Sequence, residues 1–164
     1  MFKNALILFT LLIGFFSTQP AFSKDLTNRL GIGYRDAFSF SLPSIAAIYY
    51  PNDLYGVVGS IGLDTEEDNS KSAFSAGVRR IIFKEDQMNF FMAGMLSILS
   101  QETLATGTKS GYELSALVGG EFFLSGLESL GFNFEMGVGV TNIQKVRFRT
   151  VGDSLLRAGV VFYF

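Results

Sequence analysis

Apolar and polar residues alternate along most of this chain with a period of two, the spacing of a strand with two unlike faces, and little of it repeats at helical spacing. From Phe132 to Val140, Phe132, Phe134, Met136, Val138 and Val140 stand opposite Asn133, Glu135, Gly137 and Gly139. Arg29–Arg35 sets Leu30, Ile32 and Tyr34 against Arg29, Gly31, Gly33 and Arg35, and Tyr55–Asp64 sets Tyr55, Val57, Ile61 and Leu63 against Gly56, Ser60, Gly62 and Asp64. Tyr112–Phe122 and Leu156–Phe164 follow the same rule. Ala73–Phe83 does so more loosely, Ser44–Tyr50 is apolar on both faces, and Asn89–Ser100 is apolar enough to pass for a buried helix. With Phe90, Met92, Leu96 and Ile98 on one stripe and Ser97 on the other, strand is the better reading there. These segments predict eight antiparallel strands.

The connections alternate in length. Pro51–Asp53, Lys84–Gln87 and Ser125–Leu130 are short, whereas Asp36–Pro43, Thr65–Ser72, Gln101–Ser110 and Gln144–Asp153 are mostly longer and more polar. Short turns at one end and longer loops at the other predict an all-β, eight-stranded antiparallel up-and-down barrel, here a transmembrane one. Alternation alone does not decide which face meets water, but the content of the polar face does. It is mostly Gly, Ser, Ala and Asn, which suits the narrow inside of eight strands. The bulky Phe, Tyr, Met, Leu and Ile side chains would overfill that interior and are expected outside, against lipid. Tyr34, Tyr49, Tyr50, Tyr55, Tyr112, Phe122, Phe132, Phe162 and Phe164 fall near strand ends, as aromatic girdles do. Arg80 is the awkward residue, because its phase puts a charge on the lipid face. It is expected to snorkel to the interface or to sit beside a bulge that resets the register.

Residues 1–23 are expected to be a removed export signal, leaving residues 24–164 as one barrel domain with no further domain after it. Lys3 precedes an apolar stretch, Ala5–Phe16, and Ala21-Phe22-Ser23 supplies a small-x-small cleavage site. The stretch falls short of the ~18 or more residues that a helical membrane anchor needs.

Composition narrows the chemistry. Hydrophobic residues make up 48% and charged residues 17%, below the ~25% charged of an ordinary soluble domain. Mean hydropathy is +0.33. The absence of Cys and His excludes a disulfide framework, a thiol nucleophile, a Cys/His zinc site and histidine acid/base catalysis. A formal charge of −2 argues against a nucleic-acid partner. Neither a cofactor nor a metal is expected. The acidic stretch Asp64–Asn69 lacks the Gly and closing Glu of an EF-hand and reads as a solvated loop. Gly31-x-Gly33 and Gly137-x-Gly139 have no following helix and read as small lumen positions rather than nucleotide loops.

The whole of residues 24–164 resembles the small eight-stranded outer-membrane barrels of the OmpA transmembrane-domain and OmpX type. The resemblance rests on the signal, the strand count, the loop asymmetry and the ending Val160-Val161-Phe162-Tyr163-Phe164. It implies a location in the bacterial outer membrane, contact with outer-membrane lipid and lipopolysaccharide, and insertion by the barrel assembly machinery. Leu156, Ala158, Val160, Phe162 and Phe164 would carry the insertion signal. Some barrels of this architecture are lipid A deacylases, lipid A palmitoyltransferases or surface proteases whose activity leans on a His beside Ser or Asp. With no His, this chain is expected not to be an enzyme.

Eight charges face inward by phase: Arg29, Arg35, Arg79 and Arg157, with Asp64, Glu113, Glu121 and Glu135. The preferred reading is a lumen plugged by ion pairs; the competing one is a narrow porin-like path for ions or small solutes. Glu135 and Arg157 lie on adjacent strands and are candidates to pair. Lys145-Val146-Arg147-Phe148-Arg149 reads as a strand extension above the bilayer, with contact to lipopolysaccharide phosphates as the alternative. The functional expectation is a structural or interaction protein of the envelope, with a surface partner that the sequence does not identify. The alternatives are a porin-like channel and a soluble periplasmic lipocalin-like binder of apolar ligands.

Overall fold

The computed structural model describes residues 24–103, 107–143, 145–150 and 156–164; residues 1–23, expected to be an export signal, lie outside them. Among the described residues nine strands follow in chain order: β1 (Leu30–Asp36), β2 (Pro43–Tyr49), β3 (Tyr55–Asp64), β4 (Lys71–Glu85), β5 (Met88–Thr103), β6 (Gly107–Leu124), β7 (Leu127–Asn142), β8 (Val146–Thr150) and β9 (Arg157–Tyr163). Every pairing is antiparallel. β8 pairs with the end of β7 and β9 with its beginning, so these two share one stave. β1 then pairs with β9 and the sheet closes into an eight-stave up-and-down barrel.

Turn chemistry sets the register at the short end. The Asn52 side-chain oxygen accepts from the N–H groups of Leu54 and Tyr55, each at 2.9 Å, and bends the chain from β2 into β3. Gln87 and Gly126 take positive φ (56° and 84°) in the β4–β5 and β6–β7 turns, a region that suits the side-chain-free Gly126. The opposite end differs from the expected long loops. Most of Gln101–Ser110 is strand, because β5 runs to Thr103 and β6 starts at Gly107.

Inward glycines let so narrow a wall curve. A Cβ on Gly33 would collide with the carbonyl oxygen of Val160 and the Cα of Val161 across the β1–β9 seam. Outward Gly94 has open space where its side chain would be.

The two faces are inverted relative to a water-soluble domain. Ile45, Val57, Ile61, Leu63, Phe74, Leu96, Ile98, Leu114 and Phe162 are exposed on the outside. Ser44, Ser60, Ser75, Asn89, Ser97, Ser115 and Asn133 are buried inside. Across the middle of the wall, Arg80 is the one charged side chain on the outer face among the described residues. It is paired in register with Tyr55 at the start of β3, and its guanidinium lies 5.8 Å from that ring. The bulge comes just after it, between Ile81 and Phe83, so Arg80 keeps its outward phase. The girdle expectation needs one correction. Tyr50 is buried in the lumen, because it continues the inward phase of Ser44, Ala46 and Ile48.

Candidate functional site: an ionic lumen under a basic mouth

Small inward residues on neighbouring strands leave room for long side chains to cross the bore, and six charged ones among the described residues do. Arg35, Arg79, Arg157, Glu113, Glu121 and Glu135 are all buried. Arg35 from β1 donates through Nε to Glu135 Oε1 at 2.9 Å and through Nη2 to Oε2. Arg79 from β4 reaches the same carboxylate with Nη2 at 3.1 Å. Its Nη1 lies 3.5 Å from Glu121 Oε2, a distance at which attraction is ionic rather than a formed hydrogen bond. Tyr163 donates to Glu121 Oε1 at 2.7 Å, Tyr50 accepts from Arg79 Nη1 at 3.3 Å, and the Arg79 guanidinium sits 3.7 Å above the Phe91 ring. Three cations and three anions cancel, which offsets the cost of burying each charge alone.

Arg157 and Glu135 are cross-strand partners in register, as their adjacency suggested. The Arg157 guanidinium nevertheless turns to Glu113, 3.5 Å away, while Glu135 is held by Arg35 and Arg79. Arg29 and Asp64 do not belong to the ionic layer. Arg29 precedes β1, and Asp64 ends β3 with its side chain accepting from the Glu66 N–H at 3.2 Å. Both are half-exposed, since at a stave's end the bore opens and phase no longer fixes burial. The outward positions Leu156, Ala158, Val160, Phe162 and Phe164 form one exposed row. Asp64–Asn69 remains at the surface, and no cluster of three or more His, Cys, Asp or Glu among the described residues forms a metal site.

Apolar groups close the bore on both sides of the ionic layer. At the turn end Leu26 packs with Ile48, Val58, Phe123, Val161 and Tyr163. Its segment is fixed by Asn28 donating to the Tyr50 carbonyl at 2.7 Å and by Lys24 pairing with Glu128 at 3.1 Å. Hydrogen bonds from the Thr27 hydroxyl and N–H hold the nearby Asp25 carboxyl below its ordinary range. At the other end the connection between β1 and β2 folds inward, burying Ala37, Phe38 and Leu42 with Ala73 and Leu99. Arg149 Nη2 donates to the Ser39 carbonyl and ties this connection to β8. Neither closure was expected from the sequence. Its signals were the alternation Phe38-Ser39-Phe40-Ser41-Leu42, too apolar for a solvated loop, and Leu26 alone among polar residues.

Lys145–Arg149 forms a strand extension, as its alternation suggested, with β8 beginning at Val146. Thr141 is paired with Arg147 and Gly139 with Arg149, so the basic side chains share the inward face of β7. Val146 and Phe148 point outward and are exposed. A cavity of about 390 Å³ lies at this end, lined by Ser39, Gln101, Thr141, Lys145, Arg147 and Arg149 among others. Comparison with protein-family models, curated proteins and solved structures finds no match to the chain.

Proposed function

We propose that this protein is an outer-membrane β-barrel of the bacterial envelope, exported with a cleaved signal, that acts through its lipid-facing wall and its loop-end surface rather than as an open pore. The inside-out distribution carries this reading: an apolar outer face around a buried polar and ionic interior. Sequestering that wall from water supplies the hydrophobic stabilisation, and closure leaves no backbone edge unpaired in hydrocarbon. On β5 the outward row Phe90–Ile98 extends ~27 Å along the strand, or ~21 Å along the membrane normal at ~40° tilt, near the ~25 Å apolar band of such barrels.

The role is structural or interactive, without catalysis. Its partners in this reading are outer-membrane lipid and lipopolysaccharide, with the barrel assembly machinery engaging the row Leu156–Phe164 during insertion. A lipocalin-like binder would need room inside, whereas this bore is crossed by charged side chains and capped by Leu26 and Phe38. The test is gel mobility of the protein from isolated outer membranes, boiled against unboiled, followed by conductance in planar bilayers. A shift on boiling with no sustained conductance is the expected result. Recovery from the soluble periplasmic fraction without a shift would overturn the membrane reading, and steady ion flux would favour the channel.

A further inference from the structure

Arg147 and Arg149 of β8, with Lys145 just before it, line the mouth, where a dissolved solute arrives, rather than the lipid side, where headgroup phosphates would lie. We propose that the loop-end cavity is a binding site for a small water-borne oligoanion, carrying two or more phosphate, sulfate or carboxylate groups.

Arg147 and Arg149 alternate along one face of β8, spaced by ~6.8 Å along the strand, and Lys145 lines the same cavity just before β8 begins, a set of cations for successive anionic groups. No acidic side chain is among the described residues that line the cavity. Lys145 and Arg147 therefore meet no carboxylate from the described walls, unlike the balanced layer below. A second observation points to a ligand independently. Thr141 is 4% exposed, lines the cavity, and its hydroxyl has no hydrogen-bond partner. A buried hydroxyl without a partner is costly, and an anion oxygen at this position would accept its proton. Gln101 adds a further donor from β5. The volume of about 390 Å³ is within the range of small-molecule pockets. Guanidinium groups suit such ligands through paired N–H donors.

Arg149 also holds the Ser39 carbonyl, so substituting it would disturb the β1–β2 connection. The test therefore uses Lys145 and Arg147. Isothermal titration of the folded barrel with inorganic tripolyphosphate in about 0.1 M salt is expected to show saturable one-site binding. The double variant Lys145→Gln/Arg147→Gln is expected to weaken it by about tenfold or more, as loss of two charge-assisted contacts implies. Thr141→Val is expected to weaken it several-fold, and Lys84→Gln at the turn end to leave it unchanged. Boiling-dependent gel mobility of each variant confirms that the barrel is intact.

Absence of saturation in the unsubstituted protein, or equal binding by the double variant, would overturn the site. So would displacement of tripolyphosphate by lipopolysaccharide micelles that depends on Lys145 and Arg147, because the site would then serve the headgroup. The site rests on strand register rather than on membrane residence. Were the barrel recovered as a soluble protein, the same titration would run without detergent, so failure of one reading is distinguishable from failure of the other.

Discussion

Glu135→Gln removes one charge from the centre of the ionic layer while keeping the side chain's size. Glu135 is the acceptor for both Arg35 and Arg79, so the substitution leaves two buried guanidiniums without their shared carboxylate. A useful comparison is Lys84–Asp53 at the turn end. The Arg79–Glu135 and Lys84–Asp53 contacts are similar in length, 3.1 and 3.4 Å, but the side chains are 0% and 1% exposed in the first and 28% and 58% in the second. Burial therefore decides the outcome. Breaking the exposed pair with Asp53→Asn should cost about 0–1 kcal/mol, whereas stranding a buried charge costs about 3–5 kcal/mol. With a urea m-value of about 2 kcal/mol per molar, a loss of about 4 kcal/mol lowers the unfolding midpoint by about 2 M. The assay is urea unfolding of the folded barrel, followed by tyrosine fluorescence and by unboiled gel mobility. Arg35→Met/Glu135→Met restores charge balance and should recover most of the lost stability. If Glu135→Gln moves the midpoint no further than Asp53→Asn, the lumen is wet enough to solvate Arg35 and Arg79, and the closed-bore argument fails.

Two other substitutions test the wall and its export. Gly77→Ala drives a Cβ into the Gly94 carbonyl and Met95 and should destabilise the barrel by about 1–3 kcal/mol, whereas Gly94→Ala enters open space and should change stability by about 0.5 kcal/mol or less; paired urea titrations compare them. On the proposed outer-membrane reading, Phe164→Ala should lower the amount of protein in isolated outer membranes while leaving refolding into detergent micelles intact. Equal loss in both assays would assign Phe164 to stability instead of insertion.

The period-two pattern made the wall legible, since face and burial coincide wherever a strand runs through its middle. Arg35, Arg79, Glu113, Glu121, Glu135 and Arg157 could be placed in the lumen for that reason. At Arg29 and Asp64 the same rule gives phase without full burial, since both are half-exposed at a stave's end. It could not find the partners. Whether Arg157 meets Glu135 or Glu113 depends on stagger and on side chains crossing the bore, which no strand's own alternation encodes. Tyr50 was assigned to the girdle because a strand-end tyrosine suits either face, and its inward neighbours settle it. The inward fold of Ala37–Leu42 was hidden by its position, since a segment between strands is read as solvated unless its own alternation is weighed.

The seam between β1 and β9 has a bearing on how the chain reaches this state. Every other pairing joins strands that follow one another closely, while this one brings Gly31 opposite Tyr163 and sets reciprocal backbone bonds between Leu30 and Phe164 at 3.2 and 3.0 Å. Hairpins can zip locally and fast, but the circle stays broken until β9 has arrived. Until then the molecule is a curved ribbon with two raw edges and an apolar convex side, a template for another copy's strands. The last step of assembly is thus a single long-range encounter, and any device that keeps chains apart until that moment acts on yield rather than on the stability of the finished barrel.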